Sequence, residues 1–338
     1  MIPHPITKFL CLILFLSGLL TGCGRQAMRI ELVPVEDHLV PQVLEHDVSS
    51  TSNKIALVDI SGMLLNARPK SLLSSGSNPV SDLRETLRAV EQDSSVKAVI
   101  LRINSPGGTV TASDMMYREL QSFKARTHRP VVTCMMDLCA SGGYYVSCAS
   151  DYRIAYPTTL TGSIGVIVQT FSIAGTLDKL GISTKALTSG PNKDMGSPLR
   201  PLTKNDEQLI GQFVSEFYQG FLQVVKNSPH HVKPEDWNQA TDGRVMTGRE
   251  AARLGLVDEV GDLDLAIQRT KKLANIKYAQ IIAYTHLDSA KGSIYAAGAT
   301  PAPQMNLVNF NLDPTEMLEL AGVAGGGRPG FFYLWTGR

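Results

Sequence analysis

The sequence has no C-x-x-C pair and only five cysteines in 338 residues. Cys11 falls in an apolar leader and Cys23 just behind it, which leaves Cys134, Cys139 and Cys148, an odd number. Such a set builds neither a zinc site nor a disulfide framework, so no metal is expected. The three read as small buried packing residues. Their grouping around Ser141 leaves a redox effect on that position open. An excess of charge is lacking as well. Lys and Arg total 32 against 31 Asp and Glu, a formal net charge of +1. A chain this close to neutral has no field to gather nucleic acid and carries no acidic tail, so a nucleic-acid partner is argued against.

No apolar run is long enough to span a bilayer comfortably as a helix, which takes about 20 residues. The longest, Phe9 to Leu20 behind Lys8, has the length of a secretory h-region. It ends in Leu20-Thr21-Gly22-Cys23, which resembles a bacterial lipobox, whose cysteine thiol accepts a diacylglyceryl group. The expectation is a signal over residues 1–22, a polar tether over 23–53 and an exported protein lipid-anchored at Cys23 to a membrane of the cell envelope. A plain signal peptide or short signal anchor is the alternative.

From Lys54 a strand–helix rhythm begins. Ile55–Ile60, Val96–Ile103, Val131–Met136, Tyr152–Ala155, Ile164–Val168 and Ser183–Leu187 read as strands. Helices are expected over Ser81–Asp93 with Ser81 as N-cap, Ser113–Ala125, Gly142–Cys148, Lys204–Val225, Arg249–Leu254 and Leu263–Leu273. Strands alternating with helices predict an α/β fold with parallel pairing and right-handed crossovers. The domain is expected over residues 54–290. Residues 291–338 form a tail rich in small residues that ends in Phe331-Phe332-Tyr333-Leu334-Trp335, read as core packing or a subunit contact.

Two glycine-rich elements each follow an expected strand: Asn104-Ser105-Pro106-Gly107-Gly108 and Ala140-Ser141-Gly142-Gly143. In parallel α/β sheets the carboxyl ends of strands line the binding crevice, so both would face one site. Glycine lets a backbone N–H approach a ligand unobstructed. The Gly108 N–H is thus a candidate oxyanion donor, with the Ser141 hydroxyl beside it at a helix start. Taken alone, either element is equally a tight turn or a helix cap. A serine nucleophile also needs a base. None of the seven histidines sits in a motif, and the G-x-S-x-G elbow is missing because Cys139 stands at its first position. Lys193, in a turn over Ser189–Asp194, is the alternative base, although a solvated loop lysine explains that segment equally well. Ser94 to Lys97 matches Ser-x-x-Lys by accident, in a polar turn.

With these residues assembled, the chain resembles the signal peptide peptidase A family of serine proteases, peptidase family S49, related to the Clp protease and crotonase folds. Five segments carry the likeness: Leu101–Gly108, Ala140–Tyr145, Thr161–Val166, Lys193–Pro198 and Asp242–Asp258. The resemblance implies a Clp protease/crotonase-like α/β fold of repeated β-β-α units. It also implies Ser141 as nucleophile and Lys193 as general base. Gly108 would be the oxyanion donor, supported by Gly107 and Gly142, and Ser163 would hold the lysine amine. No cofactor is implied. Substrates would be hydrophobic peptides and cleaved signal peptides left in the membrane. Chains of this length in the family form ring-like homo-oligomers with active sites at subunit contacts. A lysine must be neutral to act as base, which for a free lysine at pH 7 costs about 4–5 kcal/mol; burial lowers that cost. Two rivals remain at this stage: a crotonase-like acyl-thioester enzyme, which needs neither Ser141 nor Lys193, and a catalytically silent scaffold lipoprotein.

Overall fold

A computed structural model describes residues 39–47, 51–67, 78–229, 231–285, 293–295 and 331–336. The signal, the lipobox Cys23, most of the tether and most of the tail lie outside these residues. So do His4, His38, His230 and His286.

Ten strands form one mixed sheet. They are β1 (Val40–His46), β2 (Lys54–Leu64), β3 (Val96–Thr109), β4 (Val131–Ala140), β5 (Tyr152–Ala155), β6 (Leu160–Gly162), β7 (Val245–Thr247), β8 (Glu259–Val260), β9 (Gln280–Thr285) and β10 (Phe332–Leu334). The main order is β1-β9-β2-β3-β4-β5-β8. β2, β3, β4 and β5 are parallel, with helices in the crossovers. These are α1 (Pro79–Gln92), α2 (Val110–Thr127) and α3 (Gly142–Ser147). Further helices are α4 (Ala174–Lys179), α5 (Lys204–Asn227), α6 (Trp237–Thr241), α7 (Gly248–Arg253) and α8 (Leu263–Leu273). None of the described helices is long and apolar enough to cross a membrane.

Side chains on a strand alternate between faces, so a sheet covered on both sides must be apolar at nearly every position. β2 and β3 obey this. Ala56, Val58, Val99, Leu101 and Ile103 enter one core with α1, α2 and α3. Ile55, Leu57, Ala98 and Ile100 enter a second core with Leu263, Ala266 and Ile267 of α8.

The long strands change partners midway, which is how the β-β-α unit is realised. The first half of β4 pairs with β5 and its last residues, Leu138–Ala140, pair with β6. β3 pairs with β4 over Val99–Ile103, and its end, Gly107–Thr109, takes β10 on one side and β2 on the other. The expected Gly107-Gly108 loop is therefore strand, and it is this second half that carries the site.

Several elements depart from the sequence expectation. α1 starts at Pro79 because Asn78 caps it, its side chain accepting from the amides of Val80 and Ser81; Ser81 is not the cap. Proline at the first helical position loses no hydrogen bond. Strand β1, inside the supposed tether, pairs antiparallel with β9. Residues 183–187 form no strand and are exposed, since no sheet edge reaches them. Residues 164–168 are irregular, with a single bridge from Ile167 to Phe332.

Candidate active site

Ser141 is the residue at which β4 turns into α3, and the bend forces its backbone to φ 51°, ψ −114°. A positive φ at a non-glycine residue costs on the order of 1–3 kcal/mol. The turn is pinned on both sides: the Ser141 amide donates to the Gly162 carbonyl at 2.8 Å, and the Tyr145 amide donates to the Ser141 carbonyl at 2.9 Å. The hydroxyl caps nothing. It is buried and has no hydrogen-bond partner. An unmade hydrogen bond in the interior costs about 1–3 kcal/mol. Strain and an unused nucleophilic atom thus coincide at one residue, which removes the helix-cap reading.

The motif around Gly107 is built to bring two amides next to that hydroxyl. Asn104 ties β3 to β4 by accepting from the Leu138 amide at 3.2 Å. The Ser105 hydroxyl donates to the Gly62 carbonyl at 2.6 Å and accepts from the Gly107 amide at 3.1 Å. Gly107 then adopts φ 102°. A Cβ there would fall 2.6 Å from the Gly142 amide nitrogen, and a Cβ on Gly142 would fall 3.1 Å from the Gly108 amide nitrogen. The Gly108 and Gly142 nitrogens therefore border one small space, as the sequence expectation of an oxyanion site requires.

On the opposite side, β6 runs past Ser141 with Gly162 paired to Ala140. Ser163, at φ 51°, follows it. The Ser163 amide donates to the Arg244 carbonyl at 2.7 Å. A Cβ on Gly162 would clash with that same oxygen at 2.9 Å. The Asp242-Gly243-Arg244 segment thus clamps Gly162-Ser163 in place, and Arg244 in turn is paired with Asp242 at 2.6 Å.

The structure brings Ser141, Gly107, Gly108, Gly142 and Ser163 together. It does not bring Lys193 to them within this chain. Ser141 Oγ has no partner of any kind, and Lys193 is exposed in a run of turns over residues 191–196. That turn is nevertheless anchored. Arg200 makes two 2.9 Å bonds to the Asp194 carboxylate and also pairs with Asp206 in the first turn of α5. The Arg200 guanidinium pulls both carboxyls below their usual range, Asp206 to about 2.

No described histidine bonds to the serine hydroxyl. His128 ends α2 in the left-handed conformation, its amide donating to Lys124. His231 lies exposed against Asp258 at 3.2 Å. The three cysteines are free and buried. Burial pushes the Cys134 thiol up to about 12 and raises those of Cys139 and Cys148 as well. They are packing residues, as expected, and the suggested redox effect has no thiolate to act through.

Sequence reasoning missed an aromatic cluster beside Ser141. Tyr145, from the Ser141 motif itself, contacts Tyr117 at 5.4 Å, Phe221 at 5.0 Å and Tyr333 at 5.1 Å between ring centroids. Tyr333 belongs to β10, so the aromatic tail lies on the site and is more than core packing. The double tyrosine after Ser141-Gly142-Gly143 was the available signal.

The sequence is similar to those of known proteases. The family model described as Peptidase family S49 matches residues 124–277, and that described as Clp protease matches residues 52–179. A protein of Enterococcus faecium provisionally designated signal peptide peptidase SppA is 31% identical over 248 residues, 73% of this chain and 71% of that one. Protease 4 of Salmonella typhi is 30% identical over 275 residues, 77% of this chain but 43% of its own length. A provisionally designated protease of Methanocaldococcus jannaschii is 36% identical over 203 residues, 60% of this chain and 64% of that one. Among solved structures, the 1510-N membrane-bound stomatin-specific protease aligns with 69% of this chain and 98% of its own, at a TM-score of 0.44 and 14% identity. On the strength of the sequence matches, and of a Clp protease-like sheet that carries a strained, unpartnered serine beside two glycine amides, the chain belongs to the serine proteases of peptidase family S49.

Proposed function

We propose that this chain is a Ser/Lys-dyad endopeptidase in which Ser141 attacks the peptide carbonyl and Lys193 of a neighbouring copy takes its proton. The observation that carries this is the Ser141 hydroxyl, buried and without a partner on a strained turn. A second copy supplies what the single chain lacks. The segment bearing Lys193 exposes Leu180, Ile182, Leu187 and Leu199, with Leu187 89% exposed. α4, within it, buries no residue at all. An apolar surface of that kind is suited to a subunit contact. Docking there would also desolvate Lys193, which favours its neutral form. Ser163, beside Ser141, is the candidate to orient the amine.

In this reading the oxyanion is stabilised by the Gly108 and Gly142 amides, the amine product leaves with the proton from the lysine, and water releases the acyl group. Substrates are hydrophobic peptides, including signal peptides released in the membrane. A lipid on Cys23 would hold the enzyme beside them as a homo-oligomer. The test compares cleavage of a synthetic signal peptide by wild type, Ser141→Ala and Lys193→Ala, with fluorophosphonate labelling of the serine. Both variants should be inactive yet folded, and mixing them should restore part of the activity if the dyad forms between copies. Equal activity of wild type and Ser141→Ala refutes the proposal.

A further inference from the structure

The two tyrosines of α3 meet different neighbours. Tyr145 joins the aromatic cluster beside Ser141. Tyr144 is fully buried, and its hydroxyl donates to the Leu256 carbonyl at 2.9 Å. There it meets Arg153 of β5, only 1% exposed, whose guanidinium carbon lies 5.9 Å from the Tyr144 ring centroid. Arg153 Nη1 also donates to the Cys148 sulfur at 3.7 Å and to the Ser228 hydroxyl at 3.2 Å. Cys148 closes α3, and Ser228 closes α5. One guanidinium therefore touches α3 at its third residue and at its C-cap, and ties it to the end of α5.

Asp258 sets how Arg153 lies. Its Oδ2 accepts from the Arg153 amide at 2.7 Å, and its Oδ1 faces His231 Nε2 at 3.2 Å. So engaged, the carboxylate stays 3.9 Å from Arg153 Nε, beyond hydrogen-bond length. Nε and Nη2 are buried without a partner. Among the described residues, the Ser141 hydroxyl is the one other buried side-chain polar atom in that condition. A buried ion pair this loosely closed is a poor source of stability, since an apolar side chain of similar size avoids the desolvation cost. A helix as short as α3, in turn, cannot hold itself and takes its position from what packs on it. The Tyr145 amide donates to the Ser141 carbonyl at 2.9 Å, so Ser141 and the Gly142 amide move with α3.

We propose that Arg153 is a positioning residue for the Ser141 reaction: through Tyr144 and Cys148 it fixes α3, and with it the serine hydroxyl and the Gly142 amide, at the angle attack requires. This rests on the reading of Ser141 as nucleophile. Arg153 touches neither substrate nor the reacting atoms. Its effect therefore falls on kcat and on the reactivity of the serine, and leaves KM alone. A small displacement of a reacting group costs roughly 10- to 100-fold in rate.

The test uses the full chain with Arg153→Met, which is apolar and of similar length, and Arg153→Lys, which keeps the charge as a single point donor. In both, Asp258 keeps the backbone amide of residue 153 and His231 as partners, so the carboxylate is not stranded. Fluorophosphonate titration counts reactive serines, and signal-peptide hydrolysis then gives KM and kcat per titrated site. Arg153→Met should lower kcat per site and the labelling rate together by at least about ten-fold, with KM and Tm nearly unchanged, and Arg153→Lys should fall between. A merely structural arginine would instead reduce the number of titratable sites and not the turnover of each. Where Arg153→Met does not fold, Arg153→Lys decides by the same measures. Wild-type kcat per site in the folded variant, or activity lost only in step with folded protein in both, overturns this inference and leaves the dyad standing. A wild-type protein that neither takes the probe nor cuts the peptide overturns both.

Discussion

Gly107→Ala isolates the oxyanion geometry from the nucleophile. The substitution adds one methyl group at a residue with φ 102°, where an L side chain is strained. The added carbon would fall 2.0 Å from the Tyr333 carbonyl oxygen and 2.6 Å from the Gly142 nitrogen, both well inside contact distance. Backbone strain alone costs about 1–3 kcal/mol. For a domain of this size that strain lowers Tm by roughly 2–4 °C per kcal/mol, and relieving the contacts with two backbone atoms lowers it further, so a thermal melt must accompany the assay. The catalytic effect is larger. In the proposed mechanism the methyl group would occupy the space of the oxyanion and displace the Gly142 amide, and loss of one such donor costs about 100- to 1,000-fold in kcat. The assay is signal-peptide hydrolysis at saturating peptide, beside a thermal melt. The expected result is a fall of at least about 100-fold in kcat at a temperature where the melt shows the variant still folded. A Gly107→Ala enzyme within three-fold of wild type at a similar Tm would refute the placement of the oxyanion amides.

Other consequences are more modest. Gly211 lies inside α5, and a Cβ there meets nothing within 4 Å, so Gly211→Ala should raise stability by roughly 0.5–1 kcal/mol in urea denaturation without altering activity. Arg200→Lys replaces a fork that grips Asp194 with two bonds by a single point donor, and should lower kcat/KM several-fold by loosening the Lys193 turn while leaving Tm nearly unchanged. Because the Arg200 guanidinium shifts Asp194 and Asp206 downward, the anchor is fully present above the ordinary carboxylate range, near pH 4, and is lost as pH falls below it, for Asp206 toward about 2. The hydrogen-exchange protection factors of residues 191–200, corrected for the intrinsic pH dependence of amide exchange, should therefore stay unchanged from pH 7 to about 4. Cys134, Cys139 and Cys148 should resist iodoacetamide at pH 8 until the chain is denatured, and thiol reagents should not inhibit the native enzyme.

What residue pattern alone determined was the local and the periodic. The α8 and β5 bounds follow directly from apolar spacing, because a helix packed on one face and a strand buried on both leave unambiguous periods. The glycines of both motifs were readable because close backbone approach excludes a Cβ wherever it occurs. Tertiary structure decided the rest. Strands β1 and β10 are short and polar or aromatic, and each exists only because a distant edge, β9 or β3, supplies its hydrogen bonds. Residues 183–187 have strand-like composition but no edge to join. Ser141 could have capped α3 on sequence grounds; only the fold shows its hydroxyl turned away from the helix and left unbonded. Lys193 was legible as a motif member, yet the turn that carries it is held by Arg200, whose grip on Asp194 and Asp206 no residue pattern announces. Chemistry here depends on atoms from separate strands meeting within a hydrogen bond's length, and a linear pattern carries residue types but not that distance.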